Sequence, residues 1–262
     1  MPELPDVEVY RRYMNATALH QPVDEVEVPA ARLLCGTTPQ GLGHALKGDC
    51  FESTHRHGKY LFASLDSRQH LVLHFGMTGE LKYSRRKGSP HPHAAMRIRF
   101  GNGALLQYIA PRKLGAIAVT DSIEDFVSAH ELGPDALAID QERWLELAQG
   151  RRGSAKSWLM NQSVIAGIGN IYSDEILFQA KIHPRRALKS LDEGELRRLH
   201  DVTRDVLQAA ISADAEPSGM PEDFLLPHRE EGGHCPRCGS ELKKISISGR
   251  SAWYCPDCQP SH

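Results

Sequence analysis

Four cysteines near the C-terminal end carry the clearest chemical signal. They stand as Cys235-Pro-Arg-Cys238 and Cys255-Pro-Asp-Cys258, two C-x2-C pairs separated by sixteen residues. This spacing lets each pair turn both thiolates toward one ion, and two pairs complete a tetrahedral set with no position left for water. The expectation is one structural Zn2+ rather than two redox pairs, because no thioredoxin-like βαβ pattern surrounds either motif. Cys35 and Cys50 stand apart from these and are expected as buried apolar thiols.

A second candidate chemistry lies at Met1-Pro2-Glu3. Removal of Met1 would leave Pro2 with a secondary α-amine, a group that titrates near about 8 and is therefore partly nucleophilic at neutral pH. Attack on an aldehyde-like carbon gives an iminium ion, which weakens neighbouring C–H and C–O bonds. Glu3 would be tethered beside that centre for proton transfer. The same residues also suit a rigid lead-in to a helix, with Asp6 and Glu8 at its positive end. Taken alone they favour the lead-in.

The elements that must position these groups change character along the chain. Residues 5–19 carry Val7, Tyr10, Met14 and Leu19 at near-helical spacing, which predicts an amphipathic helix. Short β-prone runs follow at Val26–Val28, Tyr60–Ser64, His70–Phe75, Ala95–Phe100, Ala104–Ile109 and Ala116–Thr120. They are punctuated by Gly-rich turns, a pattern that predicts a sandwich or barrel-like sheet. Ser122–Asp140 reads as a connection. Helical patterns then occupy Gln141–Gln149, Lys156–Met160, Ile171–Ala180 and Leu191–Ser212. The middle two are separated by a turn containing Gly167 and Gly169, where positive φ or close backbone approach is expected. Leu242–Ser248 and Arg250–Tyr254 flank Gly249 as a hairpin.

Composition narrows the class without naming it. Of 262 residues, 40% are hydrophobic and 24% charged, with 31 Lys+Arg against 33 Asp+Glu, as in an ordinary globular protein rather than a disordered or fibrous one. No apolar run approaches the roughly 20 residues of a membrane span. The acidic start lacks the apolar core of a signal peptide, so a cytoplasmic, nucleoid-associated location is expected. The balance of −2 gives no basic footprint. Any phosphate-binding face must be assembled by folding from local clusters such as Arg85-Arg86-Lys87, Arg151-Arg152, Arg185-Arg186 and Lys243-Lys244.

Five strings occur in order ahead of the cysteines: Met1-Pro-Glu-Leu-Pro-Asp-Val-Glu8, His57-Gly-Lys-Tyr60, His74-Phe-Gly-Met-Thr-Gly79, Pro111-Arg-Lys-Leu-Gly115 and Gly167-Ile-Gly-Asn-Ile-Tyr-Ser-Asp-Glu175. With the terminal zinc motif they resemble the formamidopyrimidine-DNA glycosylase (Fpg/Nei) family over essentially the whole chain, and Leu4-Pro5 is closer to the Fpg branch. The resemblance implies an α+β fold. An N-terminal helix plus two-layer β-sandwich would occupy 1–133, a helix–two-turn–helix domain 134–233 and a zinc ribbon 234–262. It implies a bifunctional glycosylase and abasic-site lyase acting, as a monomer, on double-stranded DNA with damaged bases or abasic sites. The alternative is a non-catalytic DNA-damage or DNA-structure binding protein on the same scaffold.

By the same resemblance, Pro2 is the Schiff-base nucleophile, Glu3 the acid/base group and Lys59 a phosphate contact that assists catalysis. Met77, Arg112 and Leu114 would fill the hole left by an everted base. Asn170 and Arg250 would grip backbone phosphate, with His74, Lys243 and Lys244 as weaker candidates. The chain also departs from the family text. Asp6 stands where Glu is usual, and Ala110-Pro-Arg-Lys-Leu-Gly115 replaces Asp-Pro-Arg-Arg-Phe-Gly. The region Ala213–Gly233 is shorter than the Fpg loop that closes over an oxidised purine, so weak or altered excision of 8-oxoguanine is expected.

Overall fold

The computed structural model describes residues 2–85 and 88–261. Met1 and the Arg86-Lys87 part of the first basic cluster therefore lie outside the described residues. The chain divides into two compact units, one of Pro2 and residues 6–130, the other of Glu3–Pro5 and residues 131–261.

The first unit is a β-sandwich with helices. Helix α1 (Leu4–Thr17) leads into β1 (Val23–Glu27), α2 (Pro39–Leu46) and the strands β2 (Phe51–His57), β3 (Tyr60–Leu65), β4 (His70–His74), β5 (Glu80–Ser84), β6 (Ala94–Phe100), β7 (Leu105–Ile109) and β8 (Ala116–Thr120). Two antiparallel four-stranded sheets result, ordered β1-β6-β7-β5 and β2-β3-β4-β8. Side chains alternate across a strand, so Leu61, Leu71, Leu73 and Ile117 of one sheet join Met96, Ile98, Leu106 and Tyr108 of the other in a single core with Val7 and Met14 of α1. The opposite face of β3, β4 and β8 presents Phe62, Val72 and Ala118, which are covered by Phe126. That residue belongs to α3 (Ile123–Ala129), capped by Ser122. The Ser122–Asp140 connection thus contains a helix, short enough for its single buried aromatic to leave no periodic signal. β2 and β5 were also absent from the sequence pattern. Both are edge strands with largely polar text, and a row of polar side chains is how sheet edges stay solvated.

The second unit is helical, built from α4 (Gln141–Ala148), α5 (Ala155–Leu159), α6 (Asn170–Gln179) and α7 (Glu193–Ser212). Trp144 and Trp158 meet edge to face at 4.8 Å in a core that also takes Leu4, Ile168, Ile176, Leu199 and Leu207. A reciprocal capping box between Asp192 and Glu195 starts α7, satisfying N–H groups the helix itself cannot. The strands β9 (Lys243–Ile247) and β10 (Arg250–Tyr254) pair as a hairpin. Ser248 and Gly249 both have positive φ, 49° and 74°, the combination that a two-residue type I′ turn needs. Cys235, Cys255, Leu242 and Trp253 pack with Phe178 and Leu225 in a separate small core.

Candidate active site and zinc centre

Helix α6 begins without a cap of its own, because its N-cap residue is Gly169, which has no side chain to offer. The missing acceptor is Glu3. Its Oε2 accepts the N–H groups of Gly169 at 2.8 Å and Tyr172 at 3.2 Å, and its Oε1 accepts that of Ile171 at 2.9 Å. The residue is fully buried. A carboxylate at this position meets both the free donors and the positive end of the helix dipole. The preceding turn is shaped to receive it. A Cβ on Gly169 would collide with the Glu3 carboxyl group, and one on Gly167 (φ +117°) with the Leu4 side chain. Gln162 braces the same turn, accepting the Gly167 N–H at 3.1 Å and donating to Ile168 O at 2.7 Å. Of the two glycines, then, only Gly167 serves by positive φ, and Gly169 serves by close approach.

This arrangement alters the reading of Asn170. It is the first helical residue and not the cap, and the amides of Gly169, Ile171 and Tyr172 are committed to Glu3. The Asn170 side chain remains for an outside ligand, and only its amide N–H could donate to one; its buried Oδ1 has no hydrogen-bond partner.

Below the turn lies a polar cluster absent from the sequence reading. Lys156 of α5 is fully buried, with Nζ donating to Asn170 O at 3.0 Å, Ser173 Oγ at 2.7 Å and Asp174 Oδ1 at 2.6 Å. Arg229 Nε reaches Asp174 Oδ2 at 2.9 Å. Burial pushes the Lys156 ammonium down against the support of Asp174. The neighbouring Glu175 accepts the backbone N–H groups of Leu225 at 3.1 Å and Leu226 at 2.7 Å, and burial raises its carboxyl to about 7. Asp174 and Glu175 therefore anchor the segment that precedes the zinc hairpin. The available signal was the run Ser173-Asp174-Glu175 inside an otherwise apolar helix.

In the first unit, Lys59 sits in the two-residue turn between β2 and β3, preceded by Gly58 at φ +56°, and is nearly buried. Arg56 Nη1 donates to Gly58 O at 3.3 Å, and its Nε reaches Glu8 at 3.4 Å. Burial opposes the charge of Glu8, but Arg11, Arg56 and Arg12 outweigh it and hold the carboxyl below its usual value. His74 is pushed down to about 4 by burial and then by the Lys59 charge, so it is neutral at neutral pH.

Met77 and Leu114 are 41% and 52% exposed, the two exposed large apolar side chains among the described residues. Their loops touch through glycine. A Cβ on Gly76 would collide with the Leu114 carbonyl, and one on Gly115 with the Tyr108 hydroxyl, which donates to His74 O at 3.0 Å. Arg112 is exposed in the same loop. Three of the expected residues are thus presented on two abutting loops of one unit.

The four cysteine sulfurs lie within 4.8 Å of one another, with Sγ–Sγ distances of 3.8 Å for Cys235–Cys258 and 3.5 Å for Cys238–Cys255. A tetrahedron with Zn–S bonds of about 2.3 Å has edges of about 3.8 Å, so these thiols fit zinc. Arg250 is exposed at the start of β10, directly after the hairpin turn. Cys35 is exposed and Cys50 half-buried, contrary to the expectation of two buried thiols. Cys35 lies in a chain bend, and Cys50 pairs with Pro22 in an isolated bridge just ahead of β2.

Comparison with known proteins gives these features a family. The N-terminal domain of formamidopyrimidine-DNA glycosylase matches residues 1–117, its H2TH domain 132–221, and the zinc finger found in FPG and IleRS 232–260. The formamidopyrimidine-DNA glycosylases of Alkalilimnicola ehrlichii and Pelobacter propionicus are each 35% identical over 99% of this chain and 100% of their own. The Lactococcus lactis Fpg in complex with DNA containing N7-benzyl-Fapy-dG superimposes with a TM-score of 0.90 at 28% identity, covering 99% of this chain and 100% of that one. A complex of that enzyme with abasic-site DNA gives 0.87 with the same coverage. No helix among the described residues is long and apolar enough to cross a membrane. By these matches, which run from the first residues through the cysteine hairpin, the chain belongs to the formamidopyrimidine-DNA glycosylase family.

Proposed function

We infer that this protein is a DNA repair glycosylase with abasic-site lyase activity, acting on double-stranded DNA that carries damaged bases or abasic sites. The observation that carries the reading is the buried Glu3 carboxylate, held by three backbone amides one residue from Pro2. With Met1 removed, the Pro2 nitrogen attacks the sugar C1′, and the C1′–base bond breaks as the base departs with a proton. Loss of the sugar ring bond then yields an iminium between Pro2 and C1′. The iminium accepts the electron pair released when a C2′ proton leaves, and the 3′ phosphate is expelled; a second elimination expels the 5′ phosphate. Glu3 handles the protons. Lys59 binds the phosphate beside the lesion, and Asn170 and Arg250 bind neighbouring phosphates. Met77, Arg112 and Leu114 occupy the space of the extruded nucleotide. Zinc is held by Cys235, Cys238, Cys255 and Cys258 and acts only by folding the Arg250 hairpin. Such a reaction belongs in the cytoplasm, at the nucleoid.

The test is borohydride trapping of the purified, zinc-loaded protein on duplex DNA with one abasic site, followed by mass mapping. A covalent adduct at Pro2 is expected. Salt-sensitive binding without any adduct, on protein lacking Met1, would replace this reading with a non-catalytic damage-binding protein.

A second reading concerns the lesion. The match to the Alkalilimnicola relative spans 278 positions, more than this chain's 262 residues, so the chain lacks residues that relative carries. Leu225, Leu226 and Arg229 are also tied down by Glu175 and Asp174. Together with the short text of Ala213–Gly233, these observations favour altered recognition of the everted base, with weak 8-oxoguanine excision. Excision of 8-oxoguanine as fast as by a relative with the longer loop would reject it.

A further inference from the structure

The first unit also holds a cavity that none of this chemistry uses. It encloses about 620 Å3, within the range of small-molecule sites. Its walls are the outer-face residues of β3, β4 and β8, helix α3 and the Cys35-Gly36 turn. The lining is aromatic on one side. Phe126 and His130 stack with ring centroids 3.8 Å apart, and Tyr60 meets Phe126 edge-on at 5.3 Å. Val72, Ala116 and Ala118 line its sheet side with short apolar side chains. Apart from His74 and His130, the charged side chains of the lining have one sign. Asp125 is the one carboxylate in the lining, exposed at its edge, and no lysine or arginine takes part. His74 at the inner end is neutral at neutral pH, so it contributes no opposing imidazolium. The Cys35 thiol is exposed at the mouth.

We propose that this cavity binds a planar heteroaromatic cation, with its ring beside Tyr60 and Phe126 and its positive charge directed to Asp125. A flat π-system packs well against aromatic walls. A cation gains from the negative faces of those rings as well as from the carboxylate. An anion would meet Asp125 with no compensating base. Apart from His74, a weaker phosphate candidate, the site is distinct from the residues assigned to DNA, and binding needs no DNA.

The test uses the zinc-loaded full chain at neutral pH, titrated calorimetrically with 1-methylquinolinium, 4-methylquinoline and quinoline-4-carboxylate. In parallel, Cys35 alkylation by iodoacetamide is followed by peptide mass mapping. The cation is expected to bind about tenfold more tightly than the neutral ring, with the carboxylate weaker still, and to slow Cys35 alkylation. Asp125→Asn should remove the preference for the cation. Ala129→Trp, at an exposed position of α3 that lines the cavity, should abolish binding while the melting temperature is kept; Ala118→Phe fills the same space from the sheet. The proposal is overturned if no probe binds, if the carboxylate binds as well as the cation, if saturating cation leaves Cys35 alkylation unchanged, or if both filling variants fold and bind normally.

Discussion

Glu3 Oε2 accepts the Gly169 N–H at 2.8 Å, and the contact exists only because residue 169 has no Cβ, since a methyl group there would collide with the Glu3 carboxyl. Gly169→Ala should therefore displace the carboxylate while leaving α6 helical. Abasic-site cleavage is expected to fall about 100-fold or more, since misplacing a reacting group by about 1 Å costs on that order. Single-turnover kinetics, read beside circular dichroism, checks this. Activity within threefold of the parent would show that the capped position is not the working one.

Met77 and Leu114 contribute little to the fold at 41% and 52% exposure. Met77→Ala and Leu114→Ala should each change stability by no more than about 0.5 kcal/mol, as for surface substitutions generally. Base excision from duplex DNA should nevertheless drop about tenfold or more, because unstacking costs a few kcal/mol that the wedge offsets. Cleavage of single-stranded abasic DNA, where no stack is opened, should be nearly unchanged.

Glu175 makes stability depend on pH. Its carboxyl titrates at about 7 in the fold against a reference of 4.5, so between these values the folded state holds a proton that the unfolded chain has lost. The stabilisation is complete below pH 4.5 and is lost as pH rises through about 7. Glu175→Gln cannot titrate. The difference in unfolding free energy between the parent and this variant should therefore shift against the parent from pH 5 to pH 8. A pH-independent difference would mean that the carboxyl titrates normally.

Removing zinc should unfold the hairpin. Cys235 and Cys255 are part of its small core with Leu242 and Trp253, and a structural site of this kind contributes its binding free energy to folding. Chelation is expected to release one equivalent of zinc, shift Trp253 fluorescence to the red and weaken DNA binding at least tenfold through loss of the Arg250 grip. The emission of Trp144 and Trp158 should persist, since they lie in a different core. DNA binding that survives complete zinc loss would remove Arg250 from the interface.

Several features were legible in the sequence because their causes are local. Two C-x2-C pairs specify a tetrahedral ligand set wherever they fold, and the short apolar runs in Tyr60–Leu65 and His70–His74 mark strands that end up buried on both faces. The order of short motifs was sufficient to mark the family. Features whose causes lie far along the chain were not legible. β2 and β5 are strands because a partner strand supplies their hydrogen bonds, and their polar edge positions carry no apolar period. The buried charges Lys156 and Asp174 are tolerable only because each meets the other, and an unpaired buried charge would be strongly destabilising. Most tellingly, the sequence marked Gly167 and Gly169 as a turn of positive φ or close approach ahead of a helix start, and the resemblance assigned Asn170 there to phosphate. The structure fills that start with a carboxylate from 166 residues away. Backbone donors at a helix end are a property of the local chain, whereas the acceptor that reaches them depends on the tertiary fold.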